Sequence, residues 1–313
     1  MKVSVPLRDG QHLHVRVIGS GQPVVLLHGF GSESLHWYPN ILPFINKFKF
    51  ILPDMRGFGL SHHLNFARDD AFEEYAHDLE DVFQFFDLKQ VFLGGISTGA
   101  YVCLMYNKLY GFDRVARYLN IEHAPCSRNS AGAIDGIFRE KQTEIFAGFA
   151  DILETIKACP QPVHYWQLPK NIRHNLRNTM SDLFVRALNH PVGKTSLFSL
   201  RYAERLVAGS LFPVANMDGY FHIMHAFMNG EDTTEAVQGI AAPVFVMAGE
   251  RSEFFTVAAQ QKILEQAPLA TMTVFKRSGH IPQIDRPLVF EREFHRFLTL
   301  PMSDFKNKEI RFV

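Results

Sequence analysis

Gly95-Ile96-Ser97-Thr98-Gly99 has the form G-x-S-x-G and stands between an apolar run, QVFLG, and a helical one. A chain turning sharply from strand into helix strains its central residue and needs small neighbours to avoid clashes. Such a turn would lift the Ser97 hydroxyl out of a sheet, beside the positive end of the following helix. The plain alternative is a glycine-rich strand–helix turn without chemistry. A serine hydroxyl attacks poorly unless a base takes its proton. Of the 15 histidines, position singles out His280, in KRSGHIPQIDRP after the final strand. Gly279 allows close backbone approach there, and Pro282 stiffens the exit.

Acyl transfer also needs N–H donors aimed at the developing oxyanion. Thr98 opens the helix, so its amide faces the site. The segment LLHGFGSES offers a second donor at Phe30, with Gly29 and Gly31 leaving room for substrate. Alone, this H-G-x-G is equally a flexible turn. His222 and His225 share a helix face in FHIMH and could ligate a metal. No Asp, Glu or Cys accompanies them at ligand spacing, so neither metal nor cofactor is expected.

These residues need a frame. KVSVPLR and HLHVRVI flank Asp9-Gly10, a hairpin signal. PVVLLHG, FKFILPD, QVFLGG, RVARYLNIE, PVFVMAG and ATMTVFK read as strands, several of them apolar enough to be covered on both faces. Helices are expected at about 35–46, 72–86, from 98, at 257–266 and at 287–298. Between Ala124 and Ala241 the alternation stops, and helical stretches rich in Phe, Arg and His are broken by Pro160, Pro162, Pro169 and Pro191. This reads as a helical insertion leaving from a strand end, where it would roof the ligand crevice of an open parallel sheet. The closing SDFKNKEIRFV reads as a lightly held polar tail.

In their order, HGFG, LPDMRGFGLS, GGISTGA and SGHIPQIDRP resemble the α/β-hydrolase fold family over nearly the whole core. The resemblance implies a mostly parallel twisted sheet with helices on both faces. Residues 1–124 and 241–313 would form the core domain and 125–240 a helical cap. It implies Ser97 as nucleophile, His280 as base, and the Phe30 and Thr98 amides as oxyanion hole. Asp54 and Arg56 fall in a motif that mainly shapes its loop.

The third member of such a triad orients the histidine and stabilises its imidazolium. The family usually ends the strand after the cap with G-x-x-D, but Gly249-Glu250-Arg251-Ser252 puts serine there. Glu253, one residue on, is the alternative acid, although one step changes side-chain direction. Glu122, ending RVARYLNIE, is favoured: its strand neighbours the nucleophile strand in this fold's usual order, and some relatives place a Glu there. A third option is a degraded site that binds without turnover.

Serine at position 97, rather than aspartate, points to attack on a carbonyl. Hydrolysis of a carboxylic ester, with an apolar acyl or aromatic group suggested by VHYWQLP and GYFHIMHAFMNG, is the leading reading. Thioester, lactone or carbon–carbon bond hydrolysis, or a low-turnover ligand-binding homologue, remain alternatives. The basic KNIRHNLR reads as a solvated helix face, or as a contact for an anionic substrate group. Lys plus Arg and Asp plus Glu both number 32, so charge gives no reason to expect nucleic acid or an anionic membrane. No run reaches the roughly 18 apolar residues of a membrane span. MKVSVPLRDG lacks a signal peptide's apolar stretch. Three cysteines without C-x-x-C spacing suit a reducing compartment. The expectation is a cytoplasmic protein acting on a small-molecule ester, with oligomeric state left open.

Overall fold

The computed structural model describes residues 1–68, 70–157, 159, 163–189 and 217–313. Strands β1 (Lys2–Pro6), β2 (His12–Gly19), β3 (Gln22–Leu27), β4 (Phe48–Pro53), β5 (Val91–Ile96), β6 (Val115–Ile121), β7 (Val244–Gly249), β8 (Ala270–Phe275) and β9 (Ile310–Phe312) form one sheet. Their order is β1-β2-β4-β3-β5-β6-β7-β8-β9. The β1–β2 and β2–β4 pairs are antiparallel and every later pair is parallel. The β1–β2 hairpin turns at Asp9-Gly10, where Gly10 has φ of 85°. Every residue of β7 and β8 is buried, as the apolar character of parallel strands covered on both faces requires.

The described helices are α1 (Tyr38–Ile41), α2 (Ala71–Phe85), α3 (Thr98–Tyr110), α4 (Gln142–Ile156), α5 (Lys170–Ala187), α6 (Asp218–Asn229), α7 (Thr234–Gln238), α8 (Val257–Gln266), α9 (Pro282–Asp285) and α10 (Pro287–Thr299). The side chain of Asp70 caps α2 by accepting from the Phe72 and Glu73 amides at 2.8 and 3.3 Å, satisfying two otherwise orphan donors. Thr256 caps α8 in the same way, accepting from Ala259 at 2.9 Å. One core lies around Leu79, Val82 and Phe83 of α2 and Val102 and Tyr106 of α3. A second gathers Leu26, Phe50, Leu119 and Phe245 of the sheet with Trp37, Phe290, Phe294 and Phe297. Each such side chain contributes about 1.5–3 kcal/mol on leaving water, and together they lock the sheet from both sides.

Between β6 and β7, which are neighbours in the sheet, the described residues include α4 to α7. Of the expected breakers, Pro160, Pro162 and Pro191 lie outside the described residues. Pro169 directly precedes α5.

Two expected elements differ. The helix expected at about 35–46 is a succession of short turns: 3-10 at Ser34–Trp37, one α turn at α1, then 3-10 at Leu42–Phe44. Pro39 and Pro43 each lack the N–H that would continue a helix, so each begins a new short piece instead. The C-terminal tail is also not loose. Its residues Ile310–Phe312 form β9 beside β8, with Val313 N–H donating to Val274 O at 3.0 Å. Arg311 reaches the buried Glu293 carboxylate at 2.6 Å, and Arg296 binds Glu309 at 3.1 Å. No helix among the described residues is long and apolar enough to cross a membrane. Cys103, Cys126 and Cys159 are free.

Candidate active site

The parallel register brings the ends of β5, β6 and β7 together. Ile96 pairs with Ile121, and Ile121 pairs with Met247. The ladder continues one residue further, with Ser97 N–H donating to Ile121 O at 2.8 Å and Glu122 N–H to Met247 O at 2.9 Å. Ser97 and Glu122 therefore leave adjacent strand ends. Both have positive φ, 53° and 58°, a region costly for residues with a Cβ. The glycines of G-x-S-x-G have a steric cause. A Cβ on Gly95 would stand 2.3 Å from the Gly99 carbonyl carbon, and one on Gly99 would stand 2.5 Å from His28 O. Only bare backbone lets α3 start this close to β3 and β5.

His280 comes from the loop between β8 and α9. Its Nε2 is 2.8 Å from Ser97 Oγ and its Nδ1 is 2.8 Å from Glu122 Oε2. A carboxylate only accepts, so Nδ1 carries the hydrogen and Nε2 is left to accept from the serine hydroxyl. Glu122 is fully buried, and His280 and Ser97 nearly so. Three further donors converge on Glu122. Gly249 N–H and Gln260 Nε2 reach Oε1 at 2.5 and 3.0 Å, while Ser252 Oγ reaches Oε2 at 2.6 Å. The Phe254 ring stacks on the His280 imidazole, with centroids 4.0 Å apart and planes 14° from parallel. The His280 loop is also tied to α5 and to α9: His280 N–H donates to Ala187 O at 2.9 Å, and Gly279 N–H to Asp285 Oδ2 at 2.6 Å.

The alternative acid, Glu253, is placed elsewhere. Its carboxylate meets Arg186 at 3.0 Å and is 39% exposed. The His280 Nδ1 partner is Glu122, while the Glu253 carboxylate, one step along from Ser252, pairs with Arg186.

Thr98 is the first residue of α3, and its N–H is one of those that a helix leaves without an intrahelical acceptor. Gly29 lies against the elbow: a Cβ there would be 3.5 Å from Ser97 Cβ. This brings the loop that carries Phe30 alongside the serine. His28 pins that loop, donating from Nδ1 to Gly29 O and accepting at Nε2 from Met55 N–H, both at 2.9 Å. Burial lowers the His28 pKa to about 4, although the Gly29 carbonyl opposes the shift. The Phe30 ring packs edge-on to Phe58, Tyr220 and Phe227, with centroids at 6.1, 5.3 and 6.4 Å. Phe184 Cζ would stand 3.1 Å from a Cβ on Gly31. Aromatic side chains of α5 and α6 thus meet the loop after β3.

Asp54 and Arg56 are buried hubs. Asp54 accepts from Ser34 and Leu60 amides at 2.8 and 3.0 Å, and Arg56 binds Asp78 at 2.7 Å and Asp9 at 2.8 Å. His222 stacks on Phe66 at 4.3 Å, and Asn229 Nδ2 approaches His225 at 3.1 Å. Among the described residues no group of three or more His, Cys, Asp or Glu could hold a metal ion. In the basic KNIRHNLR run, Arg173 donates to Leu168 O at 3.0 Å and lies 5.7 Å over the Trp166 ring, on its own helix end.

Sequence reasoning missed Gln260, Phe254 and His123 at this site. His123 follows Glu122 and stacks on Tyr101 at 4.6 Å, with Phe255 at 4.5 Å. Burial lowers its pKa to about 3, against the hydrogen bond to Ala124 O. Only its position next to a candidate acid could have signalled it.

Residues 24–293 match the model of the alpha/beta hydrolase family. The chain is 23% identical over 284 residues to a pimeloyl-[acyl-carrier protein] methyl ester esterase of Vibrio vulnificus, covering 89% of this chain and 94% of that protein. A shorter stretch of 122 residues is 30% identical to a non-heme haloperoxidase of Rhodococcus erythropolis, spanning 39% of this chain and less than half, 44%, of that relative. Among solved structures, an esterase from Exiguobacterium antarcticum superposes with a TM-score of 0.75 at 20% identity, covering 95% of this chain and 99% of that one. The match over most of the chain establishes that this protein belongs to the alpha/beta hydrolase family.

Proposed function

We propose that the protein is a serine hydrolase that cleaves a carboxylic ester through an acyl-enzyme. The carrying observation is the hydrogen-bonded chain from Ser97 through His280 to Glu122, with both links at 2.8 Å. In this reading His280 Nε2 takes the Ser97 proton as Oγ attacks the ester carbonyl. Glu122 holds the tautomer and stabilises the imidazolium that forms. The Phe30 and Thr98 amides receive the negative oxygen of the tetrahedral intermediate, where one such donor is worth roughly 100- to 1,000-fold in rate. His280 then gives its proton to the departing alcohol, and water repeats the sequence to free the acid.

Residues 125–240 act as the cap in this proposal. Phe184, Tyr220 and Phe227, close to Gly31 and Phe30, favour an apolar acyl or aromatic group. The esterase names of the relative from Vibrio vulnificus and the neighbour from Exiguobacterium antarcticum support the ester reading. A fluorophosphonate probe followed by mass spectrometry tests it. The expected result is a single adduct on Ser97, absent in Ser97→Ala, with turnover of short- and medium-chain esters. No adduct on Ser97 rejects the serine-hydrolase reading, and labelling with thioester or lactone turnover but no ester turnover moves it to those substrates.

A further inference from the structure

The segment SEFF places three of its side chains on the site's periphery in different ways: Ser252 on Glu122, Glu253 on Arg186, and Phe254 on His280. Ser252 occupies the position where the family resemblance leads one to expect the acid itself. It is 2% exposed, so its hydroxyl must find its partners inside the protein. Those partners determine its direction. The Phe254 and Phe255 amides donate to Ser252 Oγ at 3.2 and 3.4 Å, taking up its acceptor side. The one hydroxyl hydrogen is then free to point at Glu122 Oε2, 2.6 Å away. That same oxygen accepts from His280 Nδ1.

The other carboxylate oxygen is held separately. Oε1 takes Gly249 N–H and the amide of Gln260, which is fully buried. The carbonyl oxygen of Gln260 finds no partner among the described residues. A buried amide that leaves one end unsatisfied carries a cost. Here its other end supplies a donor to Glu122.

We infer that Ser252 is a positioning residue for the reaction. By holding Oε2 at His280 Nδ1 it fixes which carboxylate oxygen orients the base, with Gln260 and Gly249 closing off rotation from the other side. A glutamate has one more rotatable bond than the expected aspartate, and it enters the site from a different strand end. The donors around it supply the restraint that a shorter side chain would need less of. The serine is in this way converted from the site of a missing acid into part of the relocated acid's mount. This inference rests on the triad proposed above.

The test is a double-mutant cycle in the full chain, with Ser97 phosphonylation and ester turnover as readouts. Ser252→Ala should lower kcat about 5- to 30-fold with KM changed less than about 2-fold, while Ser252→Thr, which keeps the hydroxyl, should recover most of the loss. In a Glu122→Gln background the Ser252→Ala penalty should shrink to within about 2-fold, because the group it orients has lost its charge. Unaltered circular dichroism and melting accompany the expected result. The inference is overturned by a Ser252→Ala kcat within 2-fold of wild type, by a full penalty persisting beside Glu122→Gln, or by failure of Ser252→Thr to recover. Absence of any Ser97 adduct in the wild type would instead remove the triad reading itself, so the two failures are separable.

Discussion

Among the described residues, two histidines present Nδ1 to a buried carboxylate. His14 meets Asp54 at 2.9 Å, and His280 meets Glu122 at 2.8 Å. Both carboxylates are fully buried, and both collect backbone amides as well. The pairs differ at the far nitrogen. His14 Nε2 has no partner among the described residues, whereas His280 Nε2 meets a serine held at positive φ on a strand end. They differ also in what the carboxylate secures. Asp54 ties together the loops at Ser34 and Leu60, while Glu122 is itself secured by Gly249, Ser252 and Gln260. In the proposed reading, a carboxylate–imidazole pair is a structural joint until a nucleophile stands on its other side.

Breaking each pair should give opposite losses. His280→Gln should lower kcat by at least about 10,000-fold while leaving the melting curve near wild type, since the proposed base is gone. Asp54→Asn should do the reverse, costing about 2–3 kcal/mol in denaturant unfolding by weakening charge-assisted hydrogen bonds, with kcat/KM of the folded protein within about 5-fold of wild type. Burial alone would raise the Asp54 pKa, but the hydrogen bonds from Ser34 and Leu60 and the nearby His28 hold it below the ordinary value. A kcat loss in Asp54→Asn as deep as in His280→Gln would erase the distinction between the two pairs.

A smaller effect sharpens the comparison with histidines that lack a carboxylate. His28 and His123 give Nδ1 to the carbonyls of Gly29 and Ala124, and burial lowers their pKa to about 4 and about 3. Above pH 6.5 both stay neutral in the folded and unfolded chains. As pH falls below that, the unfolded chain binds protons first, so stability is lost until the folded pKa is reached. Each histidine subtracts about 1.4 kcal/mol per pH unit in that window. Denaturant unfolding between pH 6 and 4.5 should show this slope, and His123→Gln should reduce it by about one histidine's share. An unchanged slope would place the acid sensitivity in other groups.

The core strands, the elbow and the base loop were legible because each is local: a short apolar run, a glycine pattern, a histidine after a last strand. The meeting of Glu122 with His280 was legible from its place at the acidic end of β6, the strand beside β5. Gln260, Phe254 and the hydroxyl direction of Ser252 were not, since they depend on how α8 and the loop after β7 dock against β6. The helix expected around 35–46 failed on two prolines, and β9 was missed because a run of three residues is too short to carry a period. Its strand character comes from an open edge of β8, which only the assembled sheet provides.

The most direct measurement of the central claim compares Glu122→Gln with Glu253→Gln on the ester that the wild type cleaves fastest. The expected result is a kcat at least about 100-fold lower in Glu122→Gln and within about 3-fold of wild type in Glu253→Gln, whose native side chain pairs with Arg186. Loss in Glu253→Gln with Glu122→Gln near wild type, or equal losses in both, would contradict it.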